Sequence, residues 1–466
     1  MKRNKRAIVL SSYLLLITVF HSLIIVSAFI QIFSFKAYLF YKPEVVWKAV
    51  WGSEKVLGTE ACFDGCCDLV YFNGVLYVVG ESDFRPYSIR VKSAGLLLAY
   101  DCNGSLLWYK VFRNNESEIA FFGVEVYDNK LYILSSKGIS VVYFNGSIDK
   151  FIAVDLKWSL WKKLFCRNNG LLYFWLSNDT LAEYNLVSDN IILKSSQGVF
   201  GDICCFVVNG SRVYLVSLSG SGCYLNILED KNDYIECIKV LRLNLSSAED
   251  IVVYGNKVFV VGPKEFDSWK PIEGVLVIYD ICENSLREAR LRIFEQTVFR
   301  RICVKRNCVY VAGFVQDYKI GKRILLAKFS LSGDLKWYTV FLKDFSECFV
   351  QCIKVYGDKI YLGGFGFLST TLEKEEWYNA IVLCVRDRDL SLIDLLNSLL
   401  VFTEKYVKAI ISIQVPETFI VLALYAALTY GKRERFSAIV FLFVVIMVTS
   451  IILLYIIVDA LIIEFR

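Results

Sequence analysis

The segment IKVYGDKIYLGG, residues 353–364, consists of two short runs of β-branched and aromatic residues separated by Gly-Asp. Alternating apolar residues on both sides of such a dipeptide are the pattern of a β-hairpin. Similar segments are LVYFNGVLYVVG at residues 69–80 and IVVYGNKVFVVG at residues 251–262. A hairpin that returns along a chain predicts an architecture built from repeats.

The hairpin occurs seven times when the copies are aligned on the aromatic residue of the second strand. These anchor residues are Tyr77, Tyr132, Tyr173, Tyr214, Phe259, Tyr310 and Tyr361. They are separated by 55, 41, 41, 45, 51 and 51 residues, which is typical of the blades of a β-propeller. The copies between residues 140 and 245 are weaker, so the blade boundaries there stay open.

A second hairpin lies between successive anchors, most clearly LLLAYDCNGSLLWYKVF at 96–112 and LLAKFSLSGDLKWYTVF at 325–341. Each blade is therefore predicted to have four antiparallel strands. The segment Val45–Trp51 resembles an outer strand but precedes every blade. We expect it to be the outermost strand of the last blade, where it closes the ring and covers a sheet edge. The fold class is an all-β, seven-bladed propeller.

Several repeat residues resemble known propeller families: Gly104-x3-Trp108, Gly333-x3-Trp337 and the Tyr-Val-Val-Gly strand endings. They are similar to bacterial and archaeal repeats of the SBBP type and, more loosely, to pyrroloquinoline quinone (PQQ) propellers. The resemblance covers about residues 44–390 and implies the fold without an activity. PQQ-dependent alcohol dehydrogenases have bonded adjacent cysteines beside the cofactor, and this chain has Cys66-Cys67 and Cys204-Cys205. Their eight blades and calcium carboxylates have no match here, so ordinary disulfides are preferred and no cofactor is predicted.

Long apolar runs on both sides of the repeats predict membrane spans. Residues 7–33 carry no acidic or basic side chain, and about 20 residues span a bilayer. This run is predicted to be an uncleaved signal anchor, with cleavage after Ser27-Ala28 as the alternative. Residues 409–430 and 437–458 predict a C-terminal helical hairpin. Together with the propeller, the chain is expected to contain three transmembrane α-helices.

The basic residues set the expected orientation. Residues 1–6 and the loop 431–435 are basic, so the positive-inside rule places both in the cytoplasm and the repeats outside the cell. The predicted segments are a tail and anchor at 1–36, an extracellular propeller at 37–390, an amphipathic juxtamembrane helix at 391–408 and the helical hairpin at 409–466. That amphipathic helix fits the membrane surface and the underside of the propeller equally well.

Two polar residues lie within the predicted spans, where a functional role is one interpretation. His21 could serve a pore or proton relay, but a contact with a neighbouring helix or with lipid headgroups is preferred. Glu417 follows Pro416, and we prefer to regard it as marking the place where the helix enters the membrane.

All 15 cysteines fall between Cys62 and Cys384, in the region predicted to be outside, which predicts disulfides. Because the number is odd, at least one cysteine has no partner within the chain. Cys303 and Cys308 could form a cross-strand disulfide if the hairpin turn is Lys305-Arg306, but not if it is Arg306-Asn307. The disulfide candidates are Cys62, Cys66, Cys67, Cys204, Cys205, Cys303, Cys308, Cys348 and Cys352. Their spacing does not favour a metal site.

Six Asn-x-Ser/Thr sequons occur in the region predicted to be outside and are candidates for glycosylation. They begin at Asn103, Asn115, Asn145, Asn178, Asn209 and Asn244. Three of them are Asn-Gly-Ser, which is also a favourable turn sequence, so a purely structural role fits these equally well.

The composition excludes several kinds of chemistry. The single histidine is His21, so no Ser-His-Asp or Cys-His arrangement can form in the repeats. The net charge of +5 is concentrated beside the apolar runs, so the nearly neutral remainder lacks the basic surface that nucleic acids need. Carboxylates predicted near the channel mouth leave glycoside hydrolysis open. They are Asp64, Asp68, Asp202, Glu249 and Asp250.

The expected function is a non-catalytic one. The chain is predicted to be a multi-pass cell-membrane protein whose extracellular propeller binds or scaffolds a protein, a glycan or an envelope component. The alternatives are a propeller enzyme, either a quinone-cofactor oxidoreductase or a carbohydrate-active protein, and an accessory subunit of a membrane complex. The fold is compatible with all three, so the function must be argued from the site.

Overall fold

The computed structural model describes residues 43–52, 64–82, 94–112, 119–154, 165–168, 170–177, 180–220, 222–264, 272–317, 321–341, 345–368 and 378–387. The regular elements in these ranges are β-strands. The segments predicted to be membrane spans and the amphipathic helix lie outside the described residues. Within the ranges given above, no helix is long and apolar enough to cross a membrane.

The described strands form seven groups of four. Blades 1 and 2 contain β2 (Gly65–Phe72), β3 (Val75–Ser82), β4 (Ala94–Tyr100), β5 (Leu106–Phe112), β6 (Phe121–Tyr127), β7 (Lys130–Ser135), β8 (Gly138–Tyr143) and β9 (Ile148–Ala153). Blades 3 and 4 contain β10 (Phe165–Asn168), β11 (Leu171–Ser177), β12 (Thr180–Asn185), β13 (Asn190–Gln197), β14 (Asp202–Asn209), β15 (Arg212–Ser219), β16 (Gly222–Asp230) and β17 (Tyr234–Leu243). Blades 5 and 6 contain β18 (Asp250–Tyr254), β19 (Lys257–Lys264), β20 (Glu273–Asp280), β21 (Ser285–Leu291), β22 (Gln296–Lys305), β23 (Cys308–Asp317), β24 (Gly321–Ser330) and β25 (Leu335–Phe341). Blade 7 contains β26 (Phe345–Tyr356), β27 (Lys359–Leu368), β28 (Tyr378–Arg386) and β1 (Glu44–Trp51).

Within each group the four strands pair in an antiparallel sheet in the order given. The first strands of the blades contact one another in a closed cycle: β2, β6, β10, β14, β18, β22, β26 and again β2. Seven four-stranded sheets arranged in a ring around their first strands constitute a β-propeller. The predicted all-β propeller with four-stranded blades is therefore confirmed for the described residues.

The ring is closed by strand β1, which comes from the N-terminal side of the repeats. Glu44 pairs with Arg386 and Trp51 pairs with Ala380 along the antiparallel ladder between β1 and β28. The prediction that residues 45–51 form the outermost strand of the last blade is confirmed. A compact unit spans Lys42–Arg388.

The apolar core lies between neighbouring blades. The cluster between blades 1 and 2 includes Tyr77 and Leu97 of the former and Phe121 and Leu131 of the latter. Similar clusters join blades 2 and 3, 3 and 4, 4 and 5, 5 and 6, and 7 and 1. The strand residues alternate between the two faces of a sheet, so each blade contributes to the clusters on both sides of it.

Two pairings between blades were not predicted from the sequence. Lys322 of β24 pairs in parallel with Glu347 of β26, which joins blades 6 and 7 in one sheet. The outermost strands of blades 3 and 4, β13 and β17, pair in parallel at Ser195–Gln197 and Tyr234–Glu236. The two blades are thereby joined in one eight-stranded sheet.

Candidate functional site

The seven anchor residues occupy equivalent places in the seven blades. Each lies on the second strand of its blade and is at least 94% buried. Each pairs with a residue of the first strand seven positions earlier: Val70, Glu125, Cys166, Val207, Val252, Cys303 or Lys354. The anchors therefore provide a common numbering for the channel that the first strands surround.

The first strands carry a β-bulge at the same level in five blades. In each case the bulged residue is ten positions before the anchor, and in blade 5 Glu249 has this position just before β18. Bulges of this kind redirect a side chain and are common beside functional sites. The bulged residues are Cys67, Phe122, Cys204, Arg300 and Gln351.

A glycine three positions after the anchor accompanies the bulge in several blades. A Cβ atom at Gly313 would lie 1.9 Å from the carbonyl oxygen of Val298, and one at Gly364 would lie 1.9 Å from that of Phe349. Gly80 and Gly262 face the equivalent carbonyls at 1.8 and 2.1 Å. These are the glycines of the strand endings in the sequence repeat, and the first strand can approach the second this closely only where a side chain is missing.

Arg301 connects three blades at the level of the bulges. Its guanidinium donates to the carbonyl oxygen of Glu249 in blade 5 at 3.3 Å and to Oε1 of Gln351 in blade 7 at 3.2 Å. It also donates to the carbonyl oxygens of Gln351 and of its neighbour Arg300. Arg300 in turn lies 3.5 Å from the Glu249 carboxylate. We call Cys67, Glu249, Arg300, Arg301 and Gln351 the mouth cluster.

Cys67 brings blade 1 into the mouth cluster. Burial raises the pKa of its thiol, the negative charge of Glu81 raises the pKa further, and Arg301 opposes both effects. A thiol with a raised pKa is a poor nucleophile because little thiolate is present near neutral pH. The Cys67 side chain therefore remains protonated in this site.

Two carboxylates at the inner edge bind the backbone of the following blade. Asp68 accepts a hydrogen bond from the Val124 amide at 3.1 Å, and Asp250 accepts one from the Ile302 amide at 3.1 Å. Asp68 and Asp250 each lie nine positions before the anchor of their own blade. The amides that they bind each lie eight positions before the anchor of the following blade. Both carboxylates were sequence candidates for glycoside hydrolysis, and in the structure they hold adjacent blades together.

Further along the channel, Lys354 of blade 7 faces Glu125 of blade 2 across the first strand of blade 1. Their charged atoms are 3.8 Å apart. The Asp68 carboxylate is the main cause that raises the pKa of Lys354, and Glu125 adds to it against the opposing effect of burial. Lys354 is therefore stabilised by carboxylates of two other blades.

The outer edge of the ring has a different character. In all seven blades the outermost strand exposes at least one large apolar side chain, and we call this set the rim. Its members are Val45, Val50, Leu106, Leu107, Tyr109, Ile148, Phe151, Ile192, Leu193, Ile238, Val240, Leu286 and Leu335. The rim was not predicted from the sequence, although the apolar character of segments such as LLWYKVF at residues 106–112 is its signal.

The cysteine candidates lie mostly on first strands. Cys66 and Cys67 are on β2, Cys204 and Cys205 on β14, Cys303 on β22, and Cys348 and Cys352 on β26. Both pairs of adjacent cysteines thus lie within first strands. Cys62 lies outside the described residues. No disulfide joins cysteines of the described ranges, although the Cys66 and Cys352 sulfurs are close to each other.

The hairpin between Cys303 and Cys308 decides one open alternative. Arg306 and Asn307 both have positive φ, at 49° and 60°, and Lys305 pairs with Cys308. The turn is therefore Arg306-Asn307, in which Cys303 faces Tyr310 and not Cys308. A cross-strand disulfide between these two cysteines does not fit this register.

Four sequon asparagines are exposed in the structure, namely Asn103, Asn145, Asn209 and Asn244, whereas Asn115 and Asn178 lie outside the described residues. The glycines after the first three have φ values of 86°, 80° and 61°, so these Asn-Gly-Ser segments do form turns. Their glycosylation remains a prediction. Within the described ranges, no three His, Cys, Asp or Glu side chains are arranged to hold a metal ion.

Comparison with known proteins gives only distant similarity. No known protein family matches the chain, and no curated protein matches it in sequence. A computationally designed protein, Ika8, is similar with a TM-score of 0.40 and 11% identity over 68% of this chain and 96% of that chain. The WD40 domain of Neurospora crassa Pan2 is similar with a TM-score of 0.46 and 9% identity, covering 70% of this chain and 90% of that chain. BamB from Moraxella catarrhalis has a TM-score of 0.40 and 11% identity, covering 69% and 84%.

These similarities carry no argument about activity. The fold assignment rests on the strand pairing described above, and the finer resemblance to SBBP or PQQ repeats stays a prediction.

Proposed function

We propose that the chain is a membrane-anchored cell-surface propeller that binds a protein partner through its rim and catalyses no reaction. The observation that carries this proposal is the exposure of apolar side chains on the outermost strand of every blade. Exposed apolar side chains that lie together in a patch are typical of interaction sites. A protein partner would cover it with apolar side chains of its own.

The rim is most pronounced on blades 1 to 3. Leu107 is 51% exposed, Phe151 is 51% exposed and Leu193 is 58% exposed. The buried cores of protein interfaces are more apolar than the rest of the surface, and aromatic residues such as Phe151 are enriched there. The partner is therefore expected to dock on the side of the ring that these three blades form.

The inside of the ring supports a scaffolding role. Arg301 hydrogen-bonds to blades 5 and 7 from its place in blade 6, and Asp68 and Asp250 each hold the following blade. Since each of these side chains binds a neighbouring blade, they fix the relative positions of the blades. A surface that is already rigid loses little conformational entropy when it binds.

The proposed membrane attachment agrees with where the chain enters and leaves the ring. Glu44 at the start of β1 pairs with Arg386 at the end of β28. The first and the last strand of the propeller in sequence therefore begin and end side by side on blade 7. The basic residues that flank these segments support an orientation with the propeller outside the cell.

The experiment is to purify the full-length protein in mild detergent and to quantify what accompanies it by mass spectrometry and absorbance. A protein in stoichiometric amount is expected with the native chain and is expected to be lost from a Leu107→Lys/Phe151→Lys variant. Leu335→Lys, a charge at the rim of blade 6, is the matched control and should retain the partner. A bound quinone, tightly held calcium, or equal recovery with both variants would contradict the proposal.

The orientation and the role of the C-terminal segment have separate tests. A protease added to intact cells should cut the propeller region and spare the loop Lys432–Arg435, and the reverse pattern would contradict the orientation. Replacing residues 409–466 with an unrelated membrane span should leave partner binding unchanged. Loss of the partner in that variant would instead favour an accessory subunit that assembles through its membrane segments.

A further inference from the structure

Two cysteine sulfurs meet where the ring closes. Cys66 lies on β2, the first strand of blade 1, and Cys352 lies on β26, the first strand of blade 7. Their Sγ atoms are 3.7 Å apart, in contact without being bonded. Both side chains are buried, with 0% and 4% of their surface exposed.

The backbone beneath this pair is adapted to it. A Cβ atom at Gly363 would lie 2.3 Å from the Cys66 sulfur and 2.6 Å from the Cys352 sulfur. Gly363 is two positions after its anchor, and the other six blades all have a larger residue at that place. Those residues are Val79, Leu134, Trp175, Val216, Val261 and Ala312. Only blade 7, which faces the sulfur pair, has a glycine there.

The pair also lies at the boundary that most needs a covalent link. Blade 7 is built from both ends of the repeat region, and it packs against blade 1 through an apolar cluster that includes Trp51, Leu69 and Val382. The two cysteines are 286 residues apart in sequence. A bond between them would join the first blade to the last and enclose almost the whole propeller in one covalent loop.

We propose that Cys66 and Cys352 form a disulfide that locks blade 7 to blade 1. The oxidant is a disulfide of the exterior compartment, either in a dithiol oxidase protein or in glutathione disulfide. One thiolate attacks that disulfide and releases a thiol, and the second thiolate then attacks the mixed disulfide and releases the other thiol. Two cysteine thiols and one disulfide become one new disulfide and two thiols, so protons and electrons balance.

The burial of the pair determines when this bond forms. An oxidant cannot reach either sulfur once the blades have packed, because both side chains are enclosed. The exchange therefore takes place during folding, before blade 7 closes on blade 1. After closure the same burial protects the disulfide from reduction.

The test uses the full-length chain, synthesised in a cell-free system that contains detergent and a glutathione/glutathione disulfide buffer. The product is unfolded in a denaturant that contains iodoacetamide, which alkylates the free thiols. It is then digested without reduction and analysed by mass spectrometry. We expect a cross-linked peptide pair that contains Cys66 and Cys352. A chain synthesised with a reductant in place of the glutathione buffer should have a Tm lower by about 5 °C or more, because the loop that the bond closes is very long.

Three variants assign the bond to its residues. Cys66→Ser and Cys352→Ser should lose the cross-link and the effect of the reductant on the Tm. Cys67→Ser should keep both, which separates Cys66 from its neighbour in the same peptide. Cys348→Ser, another buried thiol on β26, should also keep both. Alkylation of both cysteines in the native chain, or a cross-link through Cys67, would overturn the proposal without reference to any variant's stability.

Discussion

At the scale of single residues, the inner edge of the propeller depends on glycines as much as on residues with side chains. The bulged first strands bring a carbonyl oxygen to within about van der Waals contact of a glycine Cα on the second strand. Gly80, Gly262, Gly313 and Gly364 all have this role. The same backbone contact thus explains why a glycine recurs at this position of the sequence repeat.

Gly364→Ala is predicted to destabilise the fold by about 3 kcal/mol, because its new Cβ would overlap the Phe349 carbonyl oxygen. Gly74→Ala is the matched control. Gly74 has a φ of 84° but nothing within 4 Å of its added Cβ, so only a left-handed strain of about 1 kcal/mol is expected. Denaturant unfolding of both variants measures the difference. Equal losses would show that the close backbone contact is unimportant.

Cys384 predicts a loss of stability at alkaline pH. Burial raises the pKa of its thiol from an ordinary value of 9.0 to about 11. Below pH 9 the thiol is protonated in both states, whereas between pH 9 and 11 it ionises more readily in the unfolded chain. The stability that depends on the protonated thiol, about 2–3 kcal/mol, is therefore lost as pH rises through this window.

The measurement is the free energy of unfolding at several pH values between 8 and 11.5 for the native chain and for Cys384→Ala. The variant should lose less stability across this range, whatever its stability at pH 8. Parallel curves for the two proteins would mean that Cys384 does not contribute to the pH dependence.

At the scale of elements, β1 is the strand that turns an open array of blades into a ring. Its ladder with β28 extends from Glu44 to Trp51 and has one irregularity, between Val45 and Trp47. On an edge strand, alternate residues point their amides toward the neighbouring strand and away from it. The closure therefore depends on every second amide of β1.

Proline substitutions at Lys48 and Ala49 test this closure with an internal control. These neighbours pair with Leu383 and Val382, and only one of the two amides can point toward β28. One variant should therefore lose a ladder hydrogen bond and about 3 kcal/mol of stability, and unfold at a clearly lower Tm, while the other variant loses less stability. Thermal unfolding with limited proteolysis measures both. Two equally stable variants would be inconsistent with closure by β1.

At the scale of the whole molecule, side chains in the channel link the blades through hydrogen bonds. Arg301 of blade 6 hydrogen-bonds to both neighbouring blades, 5 and 7. Its charge also opposes the rise in the pKa of Cys67 in blade 1. Its partners are mostly backbone carbonyls, so the planar fork of donors is what the site uses. The relative positions of blades 5, 6 and 7 therefore depend on one side chain.

Arg301→Ala is predicted to lower stability by about 3–5 kcal/mol, because buried acceptors in two blades lose their donor. Arg301→Lys should recover only part of the loss, since an ammonium cannot reproduce the fork. Arg287→Ala is the control, because Arg287 is 60% exposed and its guanidinium lies 3.7 Å from the Glu283 carboxylate. A loss in the control as large as that in Arg301→Ala would contradict this role.

Much of the blade pattern could be predicted from the sequence because the information is local. Turn dipeptides and alternating apolar residues fix a hairpin within about twelve residues. For this reason the anchor residues, the four strands of each blade and the closing strand at residues 45–51 were all accessible. The seven anchors then predicted the number of blades.

The sites could not be predicted in the same way, because they depend on which blades become neighbours. The bulges follow from the strand register, and the glycines three positions after the anchors were the available signal. Nothing local indicates that β13 pairs with β17 in parallel, that Arg301 reaches two other blades, or that Cys66 meets Cys352. Sequence by itself determined the repeat and its closure through short-range pattern, whereas tertiary structure alone decided these contacts, because they form only after the ring has brought distant residues together.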